Sequence, residues 1–331
     1  MLVEAFPRLA VRLRSTFPDA LIKLVDSASA IRVVFPTFPA WEVSVSSIPC
    51  SDQFQIFESC ITLRYDCIQN VPADDFNRYV SAENLGLRGA SIIVDESGGK
   101  LSLKIRSTFV GQKGRTRDEA ENLSIDVLSL LRFARMLEDR LLRSVGGEHF
   151  SYEMYYSQYL SKSIGRTRFI NYARSVFQGS TERVFGQVIG MLKNDYKFKV
   201  MLGRGSVATV HPPSSDLEII MRIPDEIPML TCSAALCKCP WEYEKSFALV
   251  TRLNATMKSG HFELNADGTL ISFVNWKHLT NDLRYYSLDQ MISAVHEAEK
   301  TITVELPALK PTLNELLKAR ASSLDAYRAI A

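Results

Sequence analysis

Six cysteines and five histidines are the residues of this 331-residue chain whose types could support metal or nucleophilic chemistry. Cys60 and Cys67 lie seven residues apart, as do Cys232 and Cys239, and Cys237 adds a Cys-x-Cys. A structural zinc site takes four ligands, usually starting from two closely spaced pairs. Cys232, Cys237, Cys239 and a distant His211 are the grouping that a metal-dependent activity would have to use. In a regular strand side chains alternate between faces. Cys237 and Cys239 then share one face, and the seven-residue step sends Cys232 to the other. The expectation is that the thiols are reduced, metal-free and packed as small apolar groups. His149, His211, His261, His278 and His296 form no HExxH and no pair at ligand spacing, and none stands in a nucleophile setting with serine or cysteine. They read as structural or surface residues, so no catalytic residue, metal site or cofactor is assigned.

Two glycine-rich pieces, GQKGRTR at 111–117 and GRGS at 203–206, fail the GxxxxGK[ST] pattern and do not join a parallel strand to its helix. The first places Lys113, Arg115 and Arg117 near a helix N-terminus, where an anion could bind, but a solvated loop is the simpler reading. A less ordinary stretch lies at 148–180. From Phe150 to Phe177 it holds eight aromatics, and Tyr152, Tyr155, Tyr156 and Tyr159 fit one helical face. From Leu160 to Arg183, the basic residues Lys162, Arg166, Arg168, Arg174 and Arg183 stand against the single acid Glu182. Such interleaving can bind single-stranded nucleic acid by stacking and phosphate contact. Aromatics at helical spacing more often pack, which makes this an amphipathic connector. As a partner-binding element its residues would be Tyr152, Tyr155, Tyr159, Arg166 and Arg168.

The charge balance narrows the classes. Residues 1–147 carry 18 Lys+Arg against 18 Asp+Glu, and the remainder 21 against 19, giving the net charge of +2. Neither half has the basic excess that makes nucleic acid the default partner. No run of 18 apolar residues suggests a membrane helix. The N-terminal MLVEAFPRLAVRLRSTF has Glu4, three arginines and no apolar h-region, so it is not a secretory signal. With no small disulfide scaffold, a reduced cytoplasmic compartment is the simplest reading.

The elements that position these residues are written twice. Setting residue n against n+170 without a gap aligns Asn84 with Asn254, Ile92 with Phe262, Val94 with Leu264, Gly98 with Gly268 and Leu103 with Phe273. At an offset of 179, the helical stripe Phe6, Leu9, Leu13, Phe17 matches Phe185, Val188, Leu192, Tyr196. Each half reads as helix, three or four strands, helix, two strands, helix. In the first half the strands are ALIKLVD, AIRVVFP, AWEVSVSSI and QIFESCITLRYDC; in the second FKVMLGRGSVATVHP, LEIIMRI and MLTCSAALCKC. Asp267-Gly268 supplies a tight hairpin turn, and Thr116 with Glu119 opens a long helix with capping-box spacing. Strands and helices segregate in this order, which predicts α+β units with antiparallel sheets and excludes a βαβ nucleotide binder. A final helix with Leu313, Leu316, Leu317 and Leu324 on one side is expected over 311–331.

Residues 181–310 resemble the bacterial YbjN-like domains, which share the fold of type III secretion chaperones. The resemblance rests on Arg252-Leu253-Asn254 at a helix end, the aspartate-glycine hairpin and the last helix opening at Ser287. Residues 1–147 resemble the family less: Ala82-Glu83 replaces Arg252-Leu253, and Pro307 has no counterpart. The resemblance implies two tandem α-β-β-β-α-β-β-α domains, 1–147 and 181–310, packed as a pseudo-dimer around the 148–180 connector. It implies a non-enzymatic role: binding an extended or helical segment of a client or regulatory protein. The rival readings are nucleic-acid binding through the connector and metal chemistry at Cys232, Cys237 and Cys239.

Overall fold

In the computed structural model the described residues are 5–25, 30–34, 42–49, 54–63, 73–95, 102–112, 116–143, 145–146, 149–150, 168–169, 180–213, 215–224, 229–239, 243–265, 268–279 and 285–305. The chain divides into two compact units. The first comprises Met1–Val80, Ala90–Ser163 and Phe169–Ala173; the second comprises Ser81–Gly89, Ile164–Arg168 and Arg174–Ala331. Among the described residues no helix is long and apolar enough to cross a membrane. The helix expected over 311–331 lies outside the described residues.

The first unit opens with α1 (Ala5–Thr16), then β1 (Leu21–Val25), β2 (Ala30–Val34), β3 (Glu42–Pro49) and β4 (Phe54–Leu63). After α2 (Ala73–Asn84), whose last residues from Ser81 on belong to the second unit, come the hairpin β5 (Ser91–Asp95) and β6 (Ser102–Gln112), then α3 (Thr116–Arg143). The strands form one antiparallel sheet in the order β1-β2-β3-β4-β6-β5. Phe6, Leu9 and Leu13 of α1 are fully buried, and Phe6 meets Phe57 of β4 edge-on at 6.1 Å. Along α3 the buried Ala120, Leu123, Val127, Leu130, Ala134, Leu137 and Leu141 recur at steps of three and four, one continuous apolar stripe.

The second unit repeats this plan with α4 (Thr181–Asn194), β7 (Lys199–Leu202), β8 (Val207–His211), β9 (Ile219–Arg222), β10 (Met229–Lys238), α5 (Tyr243–Thr256), β11 (His261–Leu264), β12 (Leu270–His278) and α6 (Tyr285–Glu305). Its sheet order, β7-β8-β9-β10-β12-β11, is that of the first unit strand for strand. Ser180 caps α4 by accepting the Arg183 N–H at 3.3 Å, satisfying one of the orphan donors of a helix start. Phe185, Val188 and Leu192 are buried, matching their counterparts in α1. In the last hairpin Gly268 takes a φ of 72°, as the Asp-Gly turn requires.

Three expectations need correction. Each unit has four strands before its second helix, as read for the first half, not the three that the resemblance implies. FKVMLGRGSVATVHP is not one strand but the hairpin of β7 and β8. Its apolar alternation continues across GRGS, yet Gly205 sits at φ 64° and the Gly203 N–H donates to the Val207 carbonyl at 2.9 Å. The repeat is also not gapless. Val94 pairs with Leu103, but Leu264 pairs with Ile271, so the second hairpin loop is two residues shorter. The true counterpart of Phe273 is Ile105, which pairs with Ile92 as Phe273 pairs with Phe262.

Candidate functional site

Of the connector residues, Tyr152, Tyr155, Tyr159 and Arg166 lie outside the described residues. Arg168 falls in a two-residue strand whose ladder partner is Leu87–Arg88. Lys113 and Arg115 of the glycine-rich loop are also outside the described residues.

The cysteine reading changes in one respect. A β-bulge between Ala235 and Cys237 breaks the alternation of β10. Cys232, Cys237 and Cys239 therefore all enter the same apolar core, and Cys232 is not on the opposite face. Burial pushes the Cys237 thiol up to about 12, with Cys239 adding to the shift, and raises Cys232 as well. Sγ of Cys239 lies 2.9 Å from the Ser246 hydroxyl. For Cys232 and Cys237 burial opposes the thiolate that metal ligation and nucleophilic attack both need. Among the described residues no three His, Cys, Asp or Glu side chains gather closely enough to hold a metal.

Polar groups do converge in the second unit, at a place the sequence did not announce. His261 and Glu263 are alternate residues of β11 and so share a face. Arg88, in the segment 81–89 that belongs to this unit, forms an ion pair with the Glu263 carboxylate. The Gly86 N–H donates to the same Oε1 at 3.1 Å. Nε2 of His261 lies 3.1 Å from both that oxygen and the Asn84 carbonyl, two acceptors, so Nε2 carries the proton. Burial pushes the Glu263 carboxyl upward, but the Arg88 guanidinium, with help from His261, overcomes this and holds it at about 2. Burial lowers His261 more than the carboxylate raises it, so the ring is neutral. With His261 fully buried and both charged partners nearly so, the cluster is closed to substrate. Its work is to latch 81–89 onto β11.

A neighbouring lock explains the Arg-Leu-Asn motif. Asn254, buried at the end of α5, accepts the Phe262 N–H at 2.6 Å and donates to its carbonyl at 3.1 Å. Its amide thus pairs with β11 as a strand backbone would. Leu253 is core, and Arg252 reaches the Glu305 carboxylate at 2.7 Å. In the first unit the buried polar seam lies between α3 and the sheet. Gln55 of β4 approaches Glu119 at 3.4 Å, and Asp126 faces the hydroxyls of Ser59 and Ser107. Burial, only partly offset by those hydroxyls, raises Asp126 to about 6.

The accessible chemistry is at the sheet edges. β1 and β7 each end their sheet, with a neighbour on one side only among the described residues. Nine large apolar side chains are exposed among the described residues, and five of them belong to these two short strands: Leu21, Leu24, Val25, Met201 and Leu202. Leu21 and Leu202 are 65% and 63% exposed, more than packing of an edge strand requires. Each edge therefore offers unpaired backbone groups beside uncovered apolar side chains. No family model matches this chain, and no curated protein matches it.

Proposed function

We propose that this chain is a non-enzymatic, cytoplasmic protein-binding protein, chaperone-like or a regulatory adaptor, that takes an extended segment of a partner by adding it as a strand to β1 or β7. The observation that carries this reading is the pair of exposed apolar edge strands at equivalent positions of the two units. Strand addition draws affinity from main-chain hydrogen bonds and specificity from alternate side chains. The resemblance of 181–310 to YbjN-like and secretion-chaperone domains points to the same class of activity. In that reading the two units pair as a pseudo-dimer, which tethering in one chain favours by raising their effective concentration. Small-angle scattering that needs a broad ensemble of inter-unit distances would exclude the pairing.

The binding mode is tested with random peptides displayed on phage and selected on the full-length protein. Selected peptides are expected to slow amide exchange in 21–25 and 199–202. Failure to select any peptide, or protection confined to other strands, overturns the reading.

A further inference from the structure

We infer that the segment these edges receive is acidic: an extended stretch in which apolar residues alternate with Asp or Glu. The inference rests on the strand-addition reading above and adds the chemistry of the partner. The charge of the sequence stretches that contain the edge strands is far from the balance of the chain as a whole. Residues 8–25, spanning most of α1 and all of β1, hold Arg8, Arg12, Arg14 and Lys23 against Asp19, four basic and one acidic, net +3. Residues 187–204, the equivalent stretch at an offset of 179, hold Lys193, Lys197, Lys199 and Arg204 against Asp195, again four and one, net +3. The whole chain is only +2. All eight cations are exposed. Two are partly engaged, Arg12 with Glu121 at 3.6 Å and Lys197 with the Asn194 carbonyl at 2.6 Å. Lys193, Lys199 and Arg204 show no ion pair among the described residues of the second unit.

Position strengthens the case. Lys23 is the central residue of β1, and Lys199 opens β7. Antiparallel pairing of two copies through β1 would set Lys23 beside Lys23, a like-charge contact that opposes self-association. The same lysine favours a foreign strand carrying carboxylates opposite it. Nucleic acid would also meet these cations, but the uncovered side chains at the edges are Leu, Val and Met, with no aromatic platform for base stacking.

The test uses the full-length protein and three fluorescent twelve-residue probes with the same alternating apolar residues. The intervening positions are all Glu, all Ser or all Lys; oligouridylate is the fourth probe. The Glu peptide is expected to bind roughly tenfold more tightly than the Ser peptide, the scale of two or three exposed ion pairs, and the advantage should fall as salt is raised. Lys199→Glu with Arg204→Glu, both at exposed sites, should reduce that advantage and improve binding of the Lys peptide. Equal binding of the Glu and Ser peptides would overturn the acidic preference and leave strand addition standing. No binding by any peptide would overturn both. Oligouridylate that binds more tightly than the Glu peptide and displaces it would replace the inference with a nucleic-acid surface.

Discussion

Replacing Arg88 with methionine removes the guanidinium and leaves the Glu263 carboxylate buried without its cation. Side-chain exposure of the pair is 8% and 4%, so water cannot take over the lost interaction. Breaking a buried pair from one side costs about 3–5 kcal/mol. The carboxyl itself gives a consistent scale: a shift from its ordinary 4.5 to about 2 corresponds to about 3 kcal/mol of preference for the ionised folded form. The pH dependence follows from the sign. In the native protein the carboxyl is depressed, so its stabilisation is fully present above 4.5 and is lost as pH falls toward 2. In Arg88→Met, burial acts unopposed by the guanidinium and raises the carboxyl, so the penalty grows as pH rises and fades on acidification. The variant's deficit should therefore be largest at about pH 7–8 and shrink toward about pH 4–5. Urea titration followed by Trp276 emission reads this unit, because the indole lies against His261 at 5.4 Å. Trp41→Phe and Trp241→Phe remove the other emitters. The double variant Arg88→Met, Glu263→Met should recover most of the loss, as buried pairs replaced by apolar groups do. A deficit below about 1 kcal/mol at neutral pH, the range of a surface pair, or one that deepens on acidification, would refute the reasoning.

Four further outcomes follow from the packing. Phe185→Ala and Leu192→Ala should destabilise the second unit by about 3–5 and 2–5 kcal/mol, seen as lowered urea midpoints. Asn254→Ala should cost about 2–3 kcal/mol, since it leaves the Phe262 N–H and carbonyl without the partner they now have. Asp126→Asn should raise the melting temperature at pH 8 and have little effect near pH 4, because only the ionised carboxylate bears the burial penalty that lifts this group to about 6. Cys60, Cys232, Cys237 and Cys239 should react with a thiol reagent only as fast as the protein unfolds, since all four are buried.

How much of this was legible in the sequence differs by the range of the signal. Stripes such as Phe6, Leu9, Leu13 and Phe185, Val188, Leu192 are local, and both helices stand where that spacing puts them. The order of helices and strands was legible for the same reason. The bulge at Ala235 and Cys237 was not, because nothing in MLTCSAALC distinguishes an extra residue from the next step of alternation. The β7–β8 turn hid behind apolar alternation, although GRGS held the glycine that makes it possible. The latch on Glu263 was beyond reach for a different reason: Arg88 and Glu263 are 175 residues apart. His-x-Glu in a strand was the one local sign, and it says only that the two side chains share a face.

The duplicated plan separates what folding needs from what it does not. Core positions recur in both units because the same helix stripe meets the same sheet, and burial alone accounts for them. Some of the buried polar wiring differs between the units. The first unit places Glu119 and Asp126 of a helix against its sheet, while the second latches a strand residue, Glu263, to Arg88. At these positions the two units hold a buried carboxylate in different ways. Their edges remain alike in chemistry without an interior reason. Leu21, Leu24 and Val25 in one, and Met201 and Leu202 in the other, remain in solvent, where a polar residue would serve the fold at least as well and suppress aggregation. The 18-residue stretch that contains each edge strand also keeps four cations against one acid. Stability does not explain exposed apolar edge strands, flanked in sequence by positive charge, at equivalent positions of two units. The proposed partner strand, covering the apolar residues and pairing with the cations, would.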